Sequence, residues 1–285
     1  MIVVFAAISA VVQAWAALHA GGMASSASLN VPVLMYHHVR EPGPGLSTVD
    51  VLRYAVSPAE FEKQLDYLKQ NGYTTIDTHA LDRAMRDGVA LPRKPVILTF
   101  DDGWETQYDI VFPLLKERGM VGVFFVHTGV LRDGEGAGSS MSWSEVCEME
   151  DAGMDIECHT LSHPSLPQIS PEQLDKELGD SRRTLEAQLG RPVTAIAYPF
   201  GDFTDREIEA VDKAGYRLAF TTEVGLAQSL REPLEIHRTI ITYFDSLSDF
   251  EIKLNEIDGS RALIDYHPSI TPPRVARAPG STNVQ

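Results

Sequence analysis

The sequence predicts an α/β protein built on a parallel sheet, either open or closed into a barrel. Short apolar runs of β-forming residues alternate along the chain with amphipathic helical stretches. Several of those runs are apolar for their whole length, as strands covered on both faces are. A third observation is positional. His37, Asp101, Asp102, His159 and the stretch Phe200–Asp202 each fall just after such a run, and parallel α/β sheets gather their chemistry at the C-terminal ends of strands.

In chain order the predicted strands are Val31–Tyr36, Tyr73–Ile76, Val96–Phe100, Val121–Val126, Met154–Cys158, Thr194–Tyr198, Arg217–Thr221 and Glu235–Thr242. The predicted helices are Pro58–Gln70, Tyr108–Arg118, Trp143–Ala152, Pro171–Leu189, Asp205–Ala214 and Ser246–Ile257. Ser57 and Ser170 are expected N-caps, each followed by Pro at the first helical position. Gly72, Gly119, Gly153, Gly190 and Gly215 stand where helices should stop. Arg132–Ser142 is rich in Gly and Ser and is expected to form a mobile flap near the site.

With 285 residues the chain can form one large domain or two small ones, and 44% hydrophobic content supplies a core of ordinary size. No internal repeat is found. The formal charge of −16 excludes nucleic acid and an anionic membrane surface as partners, since both demand clustered Lys and Arg. An acidic surface suits a neutral or cationic polymer, or serves only solubility. Oligomeric state is not legible.

Residues 2–18 are apolar apart from Ser9 and Gln13, and small residues follow through Ser26. Residues 1–28 are therefore expected to be an export signal or an uncleaved N-terminal anchor, the one route to membrane contact. Residues 29–265 form the main domain and 266–285 a tail with little to bury. Cys147 and Cys158 can pair in an oxidising compartment or remain two buried thiols.

Two motifs carry chemistry. Thr99-Phe100-Asp101-Asp102-Gly103 sets two carboxylates at the end of an apolar strand, where a bend can aim both into one cavity. Alone, such a pair is more often turn and capping material. His159-Thr160-Leu161-Ser162-His163 also follows a strand, and its histidines converge on one ion if the residues between them form a helical turn. Two imidazoles and one carboxylate leave positions open for water and substrate, the pattern of a catalytic zinc site. Asp102, His159 and His163 are then the expected ligands, and Asp101 the general base. The donor set suits Zn2+ but also Co2+, Ni2+ or Fe2+.

TFDDG, HTLSH followed by Pro164, and Tyr198-Pro199-Phe200-Gly201 resemble three ordered motifs of the NodB-type polysaccharide deacetylases, over about Val31 to Thr242. The resemblance implies a distorted (β/α) barrel with fewer than eight complete units, a divalent metal, usually zinc, and hydrolysis of N-acetyl or O-acetyl groups on sugars. It implies Asp101 as base, Asp102, His159 and His163 as metal ligands, and the peptide N–H near Phe200 as an oxyanion donor. Where many members carry an Arg that orients the base, this chain has Ala197, and Arg238 is the candidate replacement.

The general-acid His of many members lies in a C-terminal Leu-x-x-x-His, here ending at His267. The segment Val33-Leu34-Met35-Tyr36-His37-His38-Val39 fits better, resembling the subgroup with an N-terminal acid motif that includes exported poly-β-1,6-N-acetylglucosamine deacetylases. His37 is then the acid and His38 a hydrogen-bonding or rim residue. Trp104, Tyr198 and Phe200 are candidates for an aromatic floor under sugar rings, although Trp104 can equally pack beneath its loop. Glu157 reads as a support to the metal site or a strand-end residue. The alternatives are an O-acetyl (xylan-type) esterase, a small-molecule amidohydrolase and a non-catalytic carbohydrate-binding relative.

Overall fold

The computed structural model describes residues 28–41, 52–131, 133 and 139–255. The N-terminal apolar segment, His267 and the tail lie outside them, as does most of the loop 132–142. The strands, in chain order, are β1 (Ser28–Asn30), β2 (Val33–Tyr36), β3 (His38–Val39), β4 (Ala55–Val56), β5 (Thr74–Thr75), β6 (Pro95–Asp101), β7 (Val123–Val126), β8 (Asp155–Cys158), β9 (Ala195–Ala197), β10 (Leu218–Phe220), β11 (Ala227–Ser229) and β12 (Thr239–Ile240). The helices are α1 (Pro58–Gln70), α2 (Thr78–Asp87), α3 (Phe112–Arg118), α4 (Trp143–Asp151), α5 (Pro171–Leu189), α6 (Asp205–Lys213) and α7 (Leu247–Asn255).

The main sheet runs β10-β9-β8-β7-β6-β2-β12, with β5 also on β6, and its pairings are parallel. Ile236 forms a parallel bridge with Phe220 three residues before β12 begins. The sheet therefore curls until its two ends approach through that segment, giving a distorted (β/α) barrel. A short antiparallel pair, β1 with β11, and a parallel pair, β3 with β4, sit apart from it.

The expected double-sided burial is observed as two cores separated by the sheet. Val33, Ile97, Val123, Phe125, Ala195, Ala197, Leu218 and Phe220 form an inner cluster. Their neighbours Leu34, Leu98, Phe124 and Ile196 pack outward with Phe61, Leu65, Leu115, Leu178 and Leu185 of the helices. This is the period-two alternation of a strand, with apolar residues required on both sides.

The helix ends follow their capping chemistry. Ser57 Oγ accepts the Glu60 N–H ahead of Pro58, and Ser170 forms a reciprocal box with Gln173 ahead of Pro171. Gly119 and Gly190 close α3 and α5 with φ of 65° and 69°. The predicted helix Tyr108–Arg118 divides: Gln107–Val111 winds as one wide π turn before the α-helix resumes. Helix α2 is not among the predicted elements, although Asp77 caps its start and Gly88, at φ 66°, its end. Its buried Leu81, Ala84 and Met85 carry the i, i+3, i+4 signal within a stretch otherwise polar. Both thiols are free; Cys158 is buried and bonds Ser181 Oγ, while Cys147 is half-buried on α4. No helix among the described residues is long and apolar enough to cross a membrane.

Candidate metal centre and active site

Strand β6 ends on Asp101, which is 2% exposed. Asp102 and Gly103 follow at φ 79° and 75°. Neighbouring strand residues point to opposite faces, and this left-handed bend is what brings both carboxylates to one pocket. Gln107, in the π turn, donates from Nε2 to Asp101 O at 2.5 Å and to His37 O at 3.1 Å. It thereby ties the end of β6 to the end of β2.

The two histidines meet by a different route from the helical turn expected. Residues 159–163 form an irregular loop, with Thr160 at φ 70° and His163 at φ 60°. Glu177 of α5 holds it open, accepting the N–H of Leu161 at 2.9 Å and of Ser162 at 2.8 Å. The Gly129 N–H donates to Leu161 O at 2.7 Å, and a Cβ on Gly129 would stand 2.5 Å from that oxygen, so glycine alone allows the approach.

The resulting donors are close. His159 Nε2 and His163 Nε2 are 3.1 Å apart, and Asp102 Oδ1 lies 3.6 Å and 3.4 Å from them. Ligands about 2.1 Å from a zinc ion at tetrahedral angles are separated by about 3.4 Å, so these atoms fit one divalent ion. His159 Nδ1 faces Ala197 O at 2.8 Å; a proton there leaves the Nε2 lone pair free to ligate. Burial, then the neighbouring His159, pushes His163 down to about 4, keeping its imidazole neutral. Burial works to raise the Asp102 carboxyl, but His159, with His37 and His163, holds it well below the ordinary carboxylate range. For His159, burial is outweighed by Asp102 and Asp101, which raise it. A cation bound here would take the place of that proton.

Arg238, 1% exposed, reaches Asp101 from just before β12. Its Nη1 donates to Asp101 Oδ1 at 2.7 Å and its Nε to Thr221 O at 2.8 Å. The guanidinium lies 5.6 Å over the Phe125 ring, in the inner core where Ala197 presents only a methyl group. Burial alone would raise the Asp101 carboxyl; the charge of Arg238, then His159 and His37, together with the Arg238 hydrogen bond, holds it below the usual range.

His37 follows β2 and lines the same cavity, of about 370 Å³, as Asp101, Asp102, His159, His163, Phe200 and Arg238. Burial lowers its pKa, and the facing Asp101 and Asp102 draw it partly back. His38 packs its ring 4.3 Å from that of Trp104. The Trp104 indole N–H donates to Asp102 Oδ2 at 3.0 Å. Trp104 thus also braces a proposed ligand through its indole edge.

The three aromatic candidates separate. Tyr198 is fully buried, stacked on Phe203, with its hydroxyl on Leu234 O, so its ring offers no face to a sugar. Phe200, at φ 61°, is 63% exposed and meets the His163 ring edge-on at 4.6 Å. The turn is held by Gly201 at φ 73°, where any Cβ would collide with Thr222. Tyr54, absent from the sequence reading, lines the cavity beside His37 at 4.8 Å between ring centroids. Glu157 does not approach the ligands through any described hydrogen bond. It accepts the N–H of Thr194 and Ala195 and pairs with Arg191, which also holds Asp155 and Glu150.

Residues 88–219 match the polysaccharide deacetylase family. Streptococcus pyogenes deacetylase PplD, solved in complex with acetate, superposes with a TM-score of 0.74 at 29% identity, over 81% of this chain and 100% of that one. BA0330 from Bacillus anthracis, assigned to the polysaccharide deacetylases, gives 0.69 at 30% identity over 80% and 69% of the two chains. The poly-β-1,6-N-acetyl-D-glucosamine N-deacetylase of Staphylococcus aureus is 27% identical over 187 residues, which are 62% of this chain and 64% of that enzyme. Sequence family, barrel topology and ordered motifs agree: the chain belongs to the polysaccharide deacetylase family.

Proposed function

We propose that this deacetylase removes N-acetyl groups from an N-acetylglucosamine-containing polysaccharide outside the cytoplasm. The carrying observation is a buried carboxylate, Asp101, fixed by Arg238 beside a separate cluster of Asp102, His159 and His163 that fits a divalent ion. A binding protein has no use for that division. The N-acetylglucosamine polymer is favoured by the S. aureus relative and by the N-terminal His37 motif. The apolar residues 2–18 favour export.

An ion held by Asp102, His159 and His163, most simply zinc, would act as a Lewis acid on the acetyl carbonyl and make water a better nucleophile at neutral pH. Asp101 accepts the proton of the attacking water, and Arg238 keeps it both ionised and aimed. The peptide N–H at Phe200 would donate to the carbonyl oxygen as its charge grows; one such donor is worth about 3–4 kcal/mol in the transition state. His37, lining the same cavity as Asp101, gives a proton to the departing amine nitrogen, and the facing Asp101 and Asp102 favour its protonated form against burial.

Acetate release from β-1,6-linked and β-1,4-linked N-acetylglucosamine polymers, peptidoglycan and acetylated xylan, with and without chelator, tests the reading. Release from the N-acetylated substrates that stops on metal removal is expected. Release from acetylated xylan alone would replace it with the O-acetyl esterase.

A further inference from the structure

All four exposed aromatic side chains among the described residues, Tyr54, Phe200, Tyr243 and Phe244, follow or face the C-terminal ends of the barrel strands. Scattered apolar residues on a surface need no explanation, but here Tyr54 and Phe200 line one cavity, and Tyr243 and Phe244 come three and four residues after Ile240, which lines it too. Tyr54 lines the cavity on the His37 side. The Tyr243 N–H donates to Leu52 O at 3.1 Å, which sets the Tyr243–Phe244 turn against the segment that carries Tyr54. Tyr243 and Phe244 meet edge-on at 6.3 Å, and Phe244 is 60% exposed. Phe200 lines the same cavity beside His163. Beyond it, from Gly201 onward, the surface continues into a second cleft of about 550 Å³.

We propose that Tyr243 and Phe244 form a stacking platform for pyranose rings next to the residue being deacetylated, so that the enzyme reads a chain of sugars and not a single one. The inference rests on the reading of the site as a polysaccharide deacetylase. A pyranose ring has apolar C–H faces and polar edges, and an aromatic ring that is both exposed and fixed matches the face. A platform tied to the segment that carries Tyr54, with a second cleft next to Phe200, gives a polymer a path across the barrel mouth. A lipid surface is the other occupant that such a patch could take, and the formal charge of −16 disfavours it.

The test compares wild type with Tyr243→Ala, Phe244→Ala and the double variant, none of them in the catalytic machinery. The substrates are β-1,6-linked N-acetylglucosamine oligomers from dimer to hexamer, with 4-methylumbelliferyl acetate as a small ester. In wild type KM should fall with chain length. In the double variant that dependence should flatten, raising KM for the hexamer by about tenfold with kcat unchanged, the mark of lost uniform binding. Turnover of the small ester and the melting temperature should stay at wild-type values. Acetate release with unaltered KM and length dependence in the double variant would overturn the platform alone. Loss of binding to phosphatidylethanolamine–phosphatidylglycerol vesicles, with oligomer KM unaltered, would overturn it in favour of a membrane contact. Wild type that releases acetate from the small ester and from no oligomer would overturn the substrate reading itself, and the platform with it.

Discussion

Replacing Arg238 by Met removes the guanidinium and keeps most of its volume against Phe125. The pair it breaks is buried on both sides, at 1% and 2% exposure, with 2.7 Å between Nη1 and Oδ1. At an effective dielectric of about 20 that contact is worth roughly 6 kcal/mol of attraction, a ceiling that desolvation of both groups reduces. Asp101 is held low mainly by Arg238, against a burial that raises it. Without the guanidinium its pKa should rise, because burial then acts without the largest opposing charge. A carboxyl lowered in the folded state contributes stability above its unfolded value, lost as pH falls through the folded one. That contribution disappears in the variant, and an unpaired buried carboxylate costs about 3–5 kcal/mol at neutral pH. The acidic limb of the kcat/KM profile should move to higher pH with it, because the base must be ionised to work. Acetate release across pH 4–9 and urea unfolding at pH 7 measure both effects. An acidic limb in its wild-type place, or turnover within twofold of wild type, would refute the assignment of Arg238 as the group that positions the base.

Asp102→Ala should lose the ion, read by elemental analysis of the purified protein and by chelator competition as a drop of at least about a hundredfold in affinity. His37→Ala should retain the ion, and its turnover should fall by about 10²–10⁴; full activity would exclude His37 as the acid. Trp104→Phe removes the indole donor to Asp102 Oδ2 and preserves an aromatic ring against His38. Metal affinity should weaken by about 10–100-fold, and unchanged affinity would reduce Trp104 to packing. Arg191→Met strips the cation from Asp155 and Glu157, both raised in pKa, Glu157 strongly, with burial the leading cause. Carboxyls raised in the folded state favour it below their unfolded pKa, and that advantage is lost as pH rises. The variant's stability deficit should therefore grow from pH 5 to pH 8, reaching about 3–5 kcal/mol; a pH-independent deficit in urea unfolding would contradict this.

Much of the architecture was legible because its signals are local. Helices α1 and α5 begin and end at their predicted residues, since Ser-Pro starts and Gly or Asn stops act within one turn. The strand ends that deliver Asp101, His159 and His37 were readable because an apolar run followed abruptly by polar residues marks where a covered strand emerges. Helix α2 was missed because ten residues with three apolar contacts make a weak period.

What the sequence determined by itself is therefore the alternation of strand and helix, the order of the motifs and the identity of the donor set. Tertiary structure decided how those groups meet. Arg238 bonds Asp101 across 137 residues, and Glu177 shapes the His159–His163 loop from another helix. Trp104 gained a bond to Asp102, while Tyr54 came to the cavity from a separate segment to which Tyr243 is bonded. Periodicity and capping are interactions between neighbours in the chain, whereas the bracing of a catalytic group depends on which distant side chain the closed barrel carries into its interior.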